Sequence, residues 1–328
     1  MKSRGYIFTF FLVLLTFANT VISLYIGPVH IPIPVILENI YRTLIRADPN
    51  WTVSTIIFYV RMPRIILAVL IGMILAISGL VTQTIFRNPL GDPYLTGVSS
   101  GAALGAAIGF LISPFLVPFL AFFFAMLAVG ISFLISRSGG EIRAEILILA
   151  GISVSFLFSA VASYLIYLKE YNLRGVLFWL LGGLYGATWS EVYYIFIAVL
   201  IAIPVILAFR KELDIMLMGD EQAKSLGVDT GKVKTVTLLV TSLVTSLAVS
   251  FVGIIGFIGL VSPHIGRKIV GESHAMLAIV APLIGANLLL VSDTIARSTP
   301  QGEIPVGIIT AFIGSPVLIY LLFRRRRM

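Results

Sequence analysis

Apolar runs of about 20 residues recur from one end of this 328-residue chain to the other, and that length carries an α-helix across roughly 30 Å of hydrocarbon at 1.5 Å per residue. Backbone polar groups inside a bilayer need internal partners, so runs of this kind fold as helices. Reading apolar stretches between polar breaks places spans near 6–26, 64–84, 95–112, 115–136, 146–167, 191–210, 233–252, 254–269, 276–293 and 305–323. The expected fold is therefore all-α, a polytopic protein of about ten transmembrane helices in the cell membrane. No stretch remains for a soluble domain, so residues 1–328 read as one membrane unit. The faintest breaks are Ser113-Pro114 and the glycines Gly253 and Gly256. The residues are 59% hydrophobic and 12% charged, where soluble domains carry about 25% charge. The first run follows Lys2 and Arg4 as a signal peptide would. It is long for such a segment and lacks a small-x-small cleavage site, so a retained anchor is expected.

A net charge of +8 raises the question of nucleic acid, and the distribution of the basic residues answers it. With an even number of spans both termini share a side, and Arg324 to Arg327 place that side in the cytoplasm. Lys2, Arg4, Arg87, Arg137, Arg143, Arg210, Lys211, Lys224, Lys232, Lys234, Arg267 and Lys268 then fall inside as well, the majority of the 23 basic residues. Arg42, Arg46, Arg61, Arg64, Lys169, Arg174 and Arg297 fall outside. Topology accounts for the basic charge, and no nucleic-acid partner is expected.

Against this apolar background a few segments stand out. Gly97, Gly101, Gly105 and Gly109 recur every four residues, which on a helix makes one narrow face open to close backbone approach. Residues 87–94, Arg-Asn-Pro-Leu-Gly-Asp-Pro-Tyr, break the helices with polar backbone that must be packed in protein or line an aqueous path; a plain turn and a gate fit equally. The longest charged inner loop, about 211–232, contains Glu221, Ala223, Leu226 and Gly227. Asp220 is positioned to cap a short helix there, with Ala223 and Leu226 on its apolar side and Gly227 ending it. Residues 227–233, Gly-Val-Asp-Thr-Gly-Lys-Val, fall short of a phosphate-binding loop: three residues separate the glycines instead of four, and valine follows the lysine. His30, His264 and His274 lack the paired spacing of a metal site, zero cysteines exclude thiolate ligands, and no nucleophile–base pair is legible. Neither catalysis nor a bound cofactor or metal is expected. Arg61 and Arg64 bracket Pro63 at the outer end of the second span, and Arg297 ends the ninth. Such cations suit either an acidic partner or lipid headgroups.

Five segments in order resemble the FecCD-type permeases, membrane subunits of ATP-binding-cassette importers for iron chelates, haem and vitamin B12. They are Arg61-Met62-Pro63-Arg64, the run from Asn88 to Ala102, the run from Gly256 to Arg267, Asp293-Thr294-Ile295-Ala296-Arg297, and Ile304-Pro305-Val306-Gly307-Ile308. The resemblance implies a homodimer, two cytosolic ATPase subunits that bind the ATP, and an external solute-binding protein. It assigns Arg61, Arg64 and Arg297 to docking of that protein, Asn88 and Leu90 to a cytoplasmic gate, and Asp220, Glu221, Ala223, Leu226 and Gly227 to the helix that docks in the ATPase. Gly91 stands where family members often have alanine, and residues 137–145 match poorly, so that loop contributes no gate residue.

The implied mechanism is alternating access driven by a separate ATPase. The rival is an ion-gradient-driven secondary transporter, which needs functional ionisable residues inside the membrane. Charges here sit at span ends, Asp293 being the nearest exception with Arg297 one turn away. Ferric siderophore, cobalamin, haem and oxyanions all remain open as cargo.

Overall fold

The structure, a computed structural model, describes residues 2–27, 29, 31–45, 50–138, 141–168, 173–299 and 302–325. Arg46, Lys169, Arg326 and Arg327, used above for orientation, and His30 lie outside the described residues. The helices are α1 (Lys2–Tyr25), α2 (Ile33–Leu44), α3 (Trp51–Ile85), α4 (Val98–Ile112), α5 (Val117–Ser136), α6 (Ala144–Leu168), α7 (Leu173–Leu180), α8 (Trp189–Ala208), α9 (Arg210–Met216), α10 (Asp220–Ser225), α11 (Thr230–Val252), α12 (Ile258–Val270), α13 (His274–Ala296) and α14 (Val306–Arg325). Among the described residues the only strand pairing is a minimal antiparallel ladder, Arg137 with Ile142 and Ser138 with Glu141. The fold is all-α and polytopic.

Among the described residues seven helices are long and apolar enough to cross a membrane: α1, α3, α5, α6, α8, α11 and α13. With the shorter apolar α4 and α14 and with α12, each expected span has its helix. Two spans differ from expectation. α12 has 13 residues, about 20 Å, too short for roughly 30 Å of hydrocarbon. Residues 253–257 before it are not helical, and their backbone is held by protein. Tyr94 Oη donates to Ile255 O at 3.0 Å and accepts from Ile255 N. A Cβ at Gly253, whose φ is +71°, would lie 2.0 Å from Trp179 O, so this crossing admits only glycine.

The second difference is α3, a helix of 35 residues that begins at Trp51 rather than near Arg64. Its length is about 52 Å, so about 22 Å of it, some 15 residues, extends past the roughly 30 Å that spans the hydrocarbon. Ile56–Arg61 are wound as a π-helix, with Met62 N bonding Ile57 O. In that register Phe58 O awaits an N–H from residue 63, which is proline and has none. The Trp189 indole supplies the missing donor, Nε1 to Phe58 O at 2.8 Å, and so ties the start of α8 to this bulge.

Glycine contacts set the core. Cβ atoms at Gly72 and Gly285 would each fall within 2.4 Å of the other's carbonyl oxygen, and one at Gly79 would meet Gly259 O. These contacts press α3 against α13 and α12. The ladder of four behaves as expected at three positions only. Gly101, Gly105 and Gly109 abut the α5 backbone at Phe124–Ala125, Leu120–Ala121 and Val117, one α5 turn per step. Gly97 is not on that helical face: it caps α4 with φ +93° and meets nothing closer than 3.5 Å. Its requirement is conformational, since the left-handed region strains other residues. A polar stripe holds α1 to α13: Asn19 bonds Asn287, Asn287 bonds Thr16, and Ser23 bonds Thr294.

Candidate functional site

The residues singled out in the sequence collect at the two ends of the α3–α13 pair. At one end Arg61, Arg64 and Arg297 do come together, around a cavity of about 190 Å³ that Val29, Ile56, Val60 and Glu303 also line. They are not a free ring of cations. Arg61 is buried, and its guanidinium donates to the carbonyls of Leu24, Tyr25 and Val29, capping the negative end of α1. Arg297 is buried too and bonds Ser23 through its backbone oxygen and hydroxyl. Burial pushes its guanidinium down to about 10, with Asp293 pulling upward and Arg64 and Arg61 pushing further down.

Asp293 is fully buried, and the structure gives it a better partner than Arg297. Arg64 reaches it with Nε at 2.9 and 3.1 Å and Nη2 at 2.6 Å, a bidentate pair of the kind guanidinium geometry favours. Arg297 Nε stands 3.6 Å away. Arg64 also pairs with Glu303, leaving its side chain 11% exposed. Helical spacing pointed to Arg297 because it is one turn from Asp293; the contact across 229 residues has no signature in spacing.

At the other end, the 87–94 segment folds back into the bundle. Asn88 Oδ1 accepts from Leu90 N at 3.0 Å and Asn88 O from Gly91 N at 2.8 Å, a local turn that leaves Asn88 exposed and Leu90 half-buried. Asp92 caps the following turn through Tyr94 N. A Cβ at residue 91 would lie 3.1 Å from Gln83 Cα, tight but within reach of a small shift. Gln83, a buried amide inside α3, donates to the carbonyls of Gly259 and Leu260 and accepts from Arg267.

The charged inner loop contains α9 and α10. Asp220 is not the cap: Gly219, with φ +118°, occupies that position without a side-chain bond, and Asp220 in the first turn pairs instead with buried Lys234. Gly227 ends the segment with φ +83°, as its sequence implied. Ala223 and Leu226 do not share a side. Ala223 is fully buried, whereas Leu226 is 61% and Met218 67% exposed, so Met218 and Leu226 stand out at either end of α10. Glu221 is exposed. The 137–142 ladder, which sequence reading left without a role, clamps this segment: Glu141 accepts from Lys224 at 2.7 Å, raising the lysine's pKa, and Ile142 O accepts from Lys234. A Cβ on Gly219 would meet Arg87 at 3.1 Å, so the start of α10 lies against the loop carrying Asn88 and Leu90.

The profile of the FecCD transport family matches residues 14–324. This chain belongs to that family. It is 41% identical over 274 residues to the cobalamin import system permease protein BtuC of Halobacterium salinarum, covering 83% of this chain and 74% of that protein. It is 38% identical to the hemin transport system permease protein HmuU of Yersinia pestis, covering 87% and 88%, and 34% identical to the molybdate import system permease protein MolB of Haemophilus influenzae, covering 97% and 96%. Among solved structures, an inward-facing metal-chelate type ABC transporter superposes with a TM-score of 0.85 at 33% identity, over 97% of this chain and 99% of that one. As a FecCD member the chain is a multi-pass membrane permease subunit of ABC importers, and the family is not itself the ATPase.

Proposed function

We propose that this permease carries a metal chelate, a ferric siderophore, cobalamin or haem, into the cytoplasm by alternating access, as a homodimer served by two cytosolic ATPase subunits and an external binding protein. The observation that carries the reading is the 0.85 TM-score to a metal-chelate type ABC transporter over nearly the whole chain. ATP is bound by the partner subunits, and this chain needs no cofactor of its own. The exposed Met218 and Leu226 offer the ATPase two apolar knobs beside α10, with Glu221 between them in sequence and Asp220, Ala223 and Gly227 fixing the segment's shape. Displacement of α10 would reach Asn88 and Leu90 through Gly219 and Arg87, so a closing ATPase dimer could bias a bistable inner opening. At the outer end Arg61 and Arg297 shape the cavity, and Arg64 is the cation that a carboxylate of the binding protein would meet, beside or in place of Glu303.

The test is uptake into proteoliposomes containing this chain and its candidate ATPase, with and without the binding protein, using labelled ferric siderophore and cobalamin in parallel. Uptake that requires ATP and both partners supports the reading and names the cargo. Uptake driven by an ion gradient without an ATPase overturns it.

A further inference from the structure

The site above makes no use of His274, which is firmly held. His274, the first residue of α13, has 1% of its side chain exposed. Its Nδ1 lies 2.6 Å from Asp214 Oδ1, and the same oxygen accepts the His274 backbone N–H at 2.7 Å. The other carboxylate oxygen takes the Ser273 hydroxyl at 3.4 Å. On the far side of the ring, Nε2 lies 2.7 Å from Thr84 Oγ1. Thr84 is the penultimate residue of α3, and Asp214 lies on α9, which runs into α10 through three residues, 217–219. A single imidazole thus bridges the segment that leads into α10, the inner end of α3 and the start of α13.

The donors and acceptors set how each contact is made. Asp214 is ionised: burial pushes its carboxyl up, and the hydrogen bonds from His274 outweigh that and hold it below the usual carboxylate range. It can only accept, so Nδ1 donates to it. Thr84 Oγ1 lies 2.7 Å from Nε2 and 2.9 Å from Leu80 O; a hydroxyl can both donate and accept, so Thr84 is held between the ring and its own helix.

We infer that His274 is a positioning residue which transmits movement of the α9–α10 segment to the inner ends of α3 and α13, and through α3 to the loop bearing Asn88 and Leu90. The transmission part rests on the permease reading above. Its geometric basis is that Thr84 lies four residues before Asn88, and that the Asp214 carboxylate holds both the backbone start of α13 and the ring that grips α3.

One experiment with two variants tests it. In proteoliposomes of the complete transporter, Thr84→Val, which keeps the shape of the site, and His274→Gln should lower uptake per ATP hydrolysed by about tenfold, the scale of coupling losses along a contact network, while hydrolysis itself stays within about twofold. Uptake and hydrolysis falling in proportion, or an unchanged ratio in both variants, overturns the transmission role. A wild type without ATP-dependent uptake removes the permease reading and the transmission role with it, whereas wild-type uptake with an unchanged ratio in both variants removes the transmission role alone.

Discussion

Gly105→Ala should destabilise this protein and Gly130→Ala should not, although both replace a glycine in the same helical hairpin. An alanine Cβ at 105 would sit 2.1 Å from Leu120 O, 2.5 Å from its carbonyl carbon and 2.7 Å from Ala121 Cα. All three are α5 backbone and cannot rotate aside. Restoring ordinary contact, which begins at 3.4 Å, requires α4 and α5 to part by about 1 Å, and a gap of that size forfeits roughly a quarter to a half of each dispersion contact along the seam. Overpacking of this kind costs about 1–3 kcal/mol. Contacts are also lost at Gly101 and Gly109, which share the seam, so the upper part of that range applies. Removing a glycine from a helix interior returns about 1 kcal/mol, leaving a net loss near 2 kcal/mol. Gly130 has nothing within 4 Å of its Cβ position, so its replacement keeps only the helical gain, about 0.5–1 kcal/mol. Thermal unfolding midpoints of the two variants in one detergent should move in opposite directions from wild type. Equal shifts, or a midpoint for Gly105→Ala at or above wild type, would refute the close approach of α4 and α5.

Gly97→Ala should also lower the midpoint, here without a clash, because φ +93° costs an L-residue about 1–2 kcal/mol; insertion at no cost would contradict the cap. Asp293→Ala should cost about 3–5 kcal/mol by leaving the mostly covered Arg64 and the buried Arg297 short of a counter-charge, with Asp293→Leu/Arg64→Met recovering part of it in the same midpoint assay. Glu141→Ala should leave the midpoint close to wild type, since the pair with Lys224 is half-exposed and screened; a clear, salt-insensitive drop would mean the 137–142 ladder is held by that pair. Asp214 has its pKa lowered by folding, so its contribution is present above the unfolded carboxylate value of about 3.9 and is lost as pH falls through the folded one. The advantage of wild type over Asp214→Asn should therefore shrink below about pH 4, and a margin that instead grows there would reverse the assignment.

The spans were legible because bilayer thickness fixes their length, and the weak breaks at Ser113-Pro114 and Gly253 were legible because proline and glycine interrupt helical hydrogen bonding. The outer limit of α3 was not. Arg61-Met62-Pro63-Arg64 reads as a helix end, but the helix runs on outward through the π-wound Ile56–Arg61, where Trp189, more than a hundred residues away, satisfies the carbonyl that Pro63 cannot. α2 was missed because a 12-residue helix opened by two prolines is too short to read as a span. The residues that the resemblance assigns to docking and to a gate, and those of α10, collect at the two ends of the α3–α13 pair. Their partners escaped notice because Arg64–Asp293, Glu141–Lys224 and Thr84–His274 close over chain separations that periodicity does not record. Gln83 and His274 did leave a trace, a polar side chain on an apolar helix, but only contacts tell such a residue from ordinary helix-packing polarity.

The mutual contact of Gly72 and Gly285 gives α3 a fulcrum. From that point the helix reaches 13 residues, about 20 Å, to Ile85, and 21 residues, about 32 Å, to Trp51. The arms are unequal, so a rocking motion that shifts the inner end by 1 Å sweeps the outer tip by about 1.6 Å for a rigid rod. The π-wound turn of Ile56–Arg61 lies on the long arm, beside the arginine cavity, so any such sweep reaches Trp51 only by passing through it.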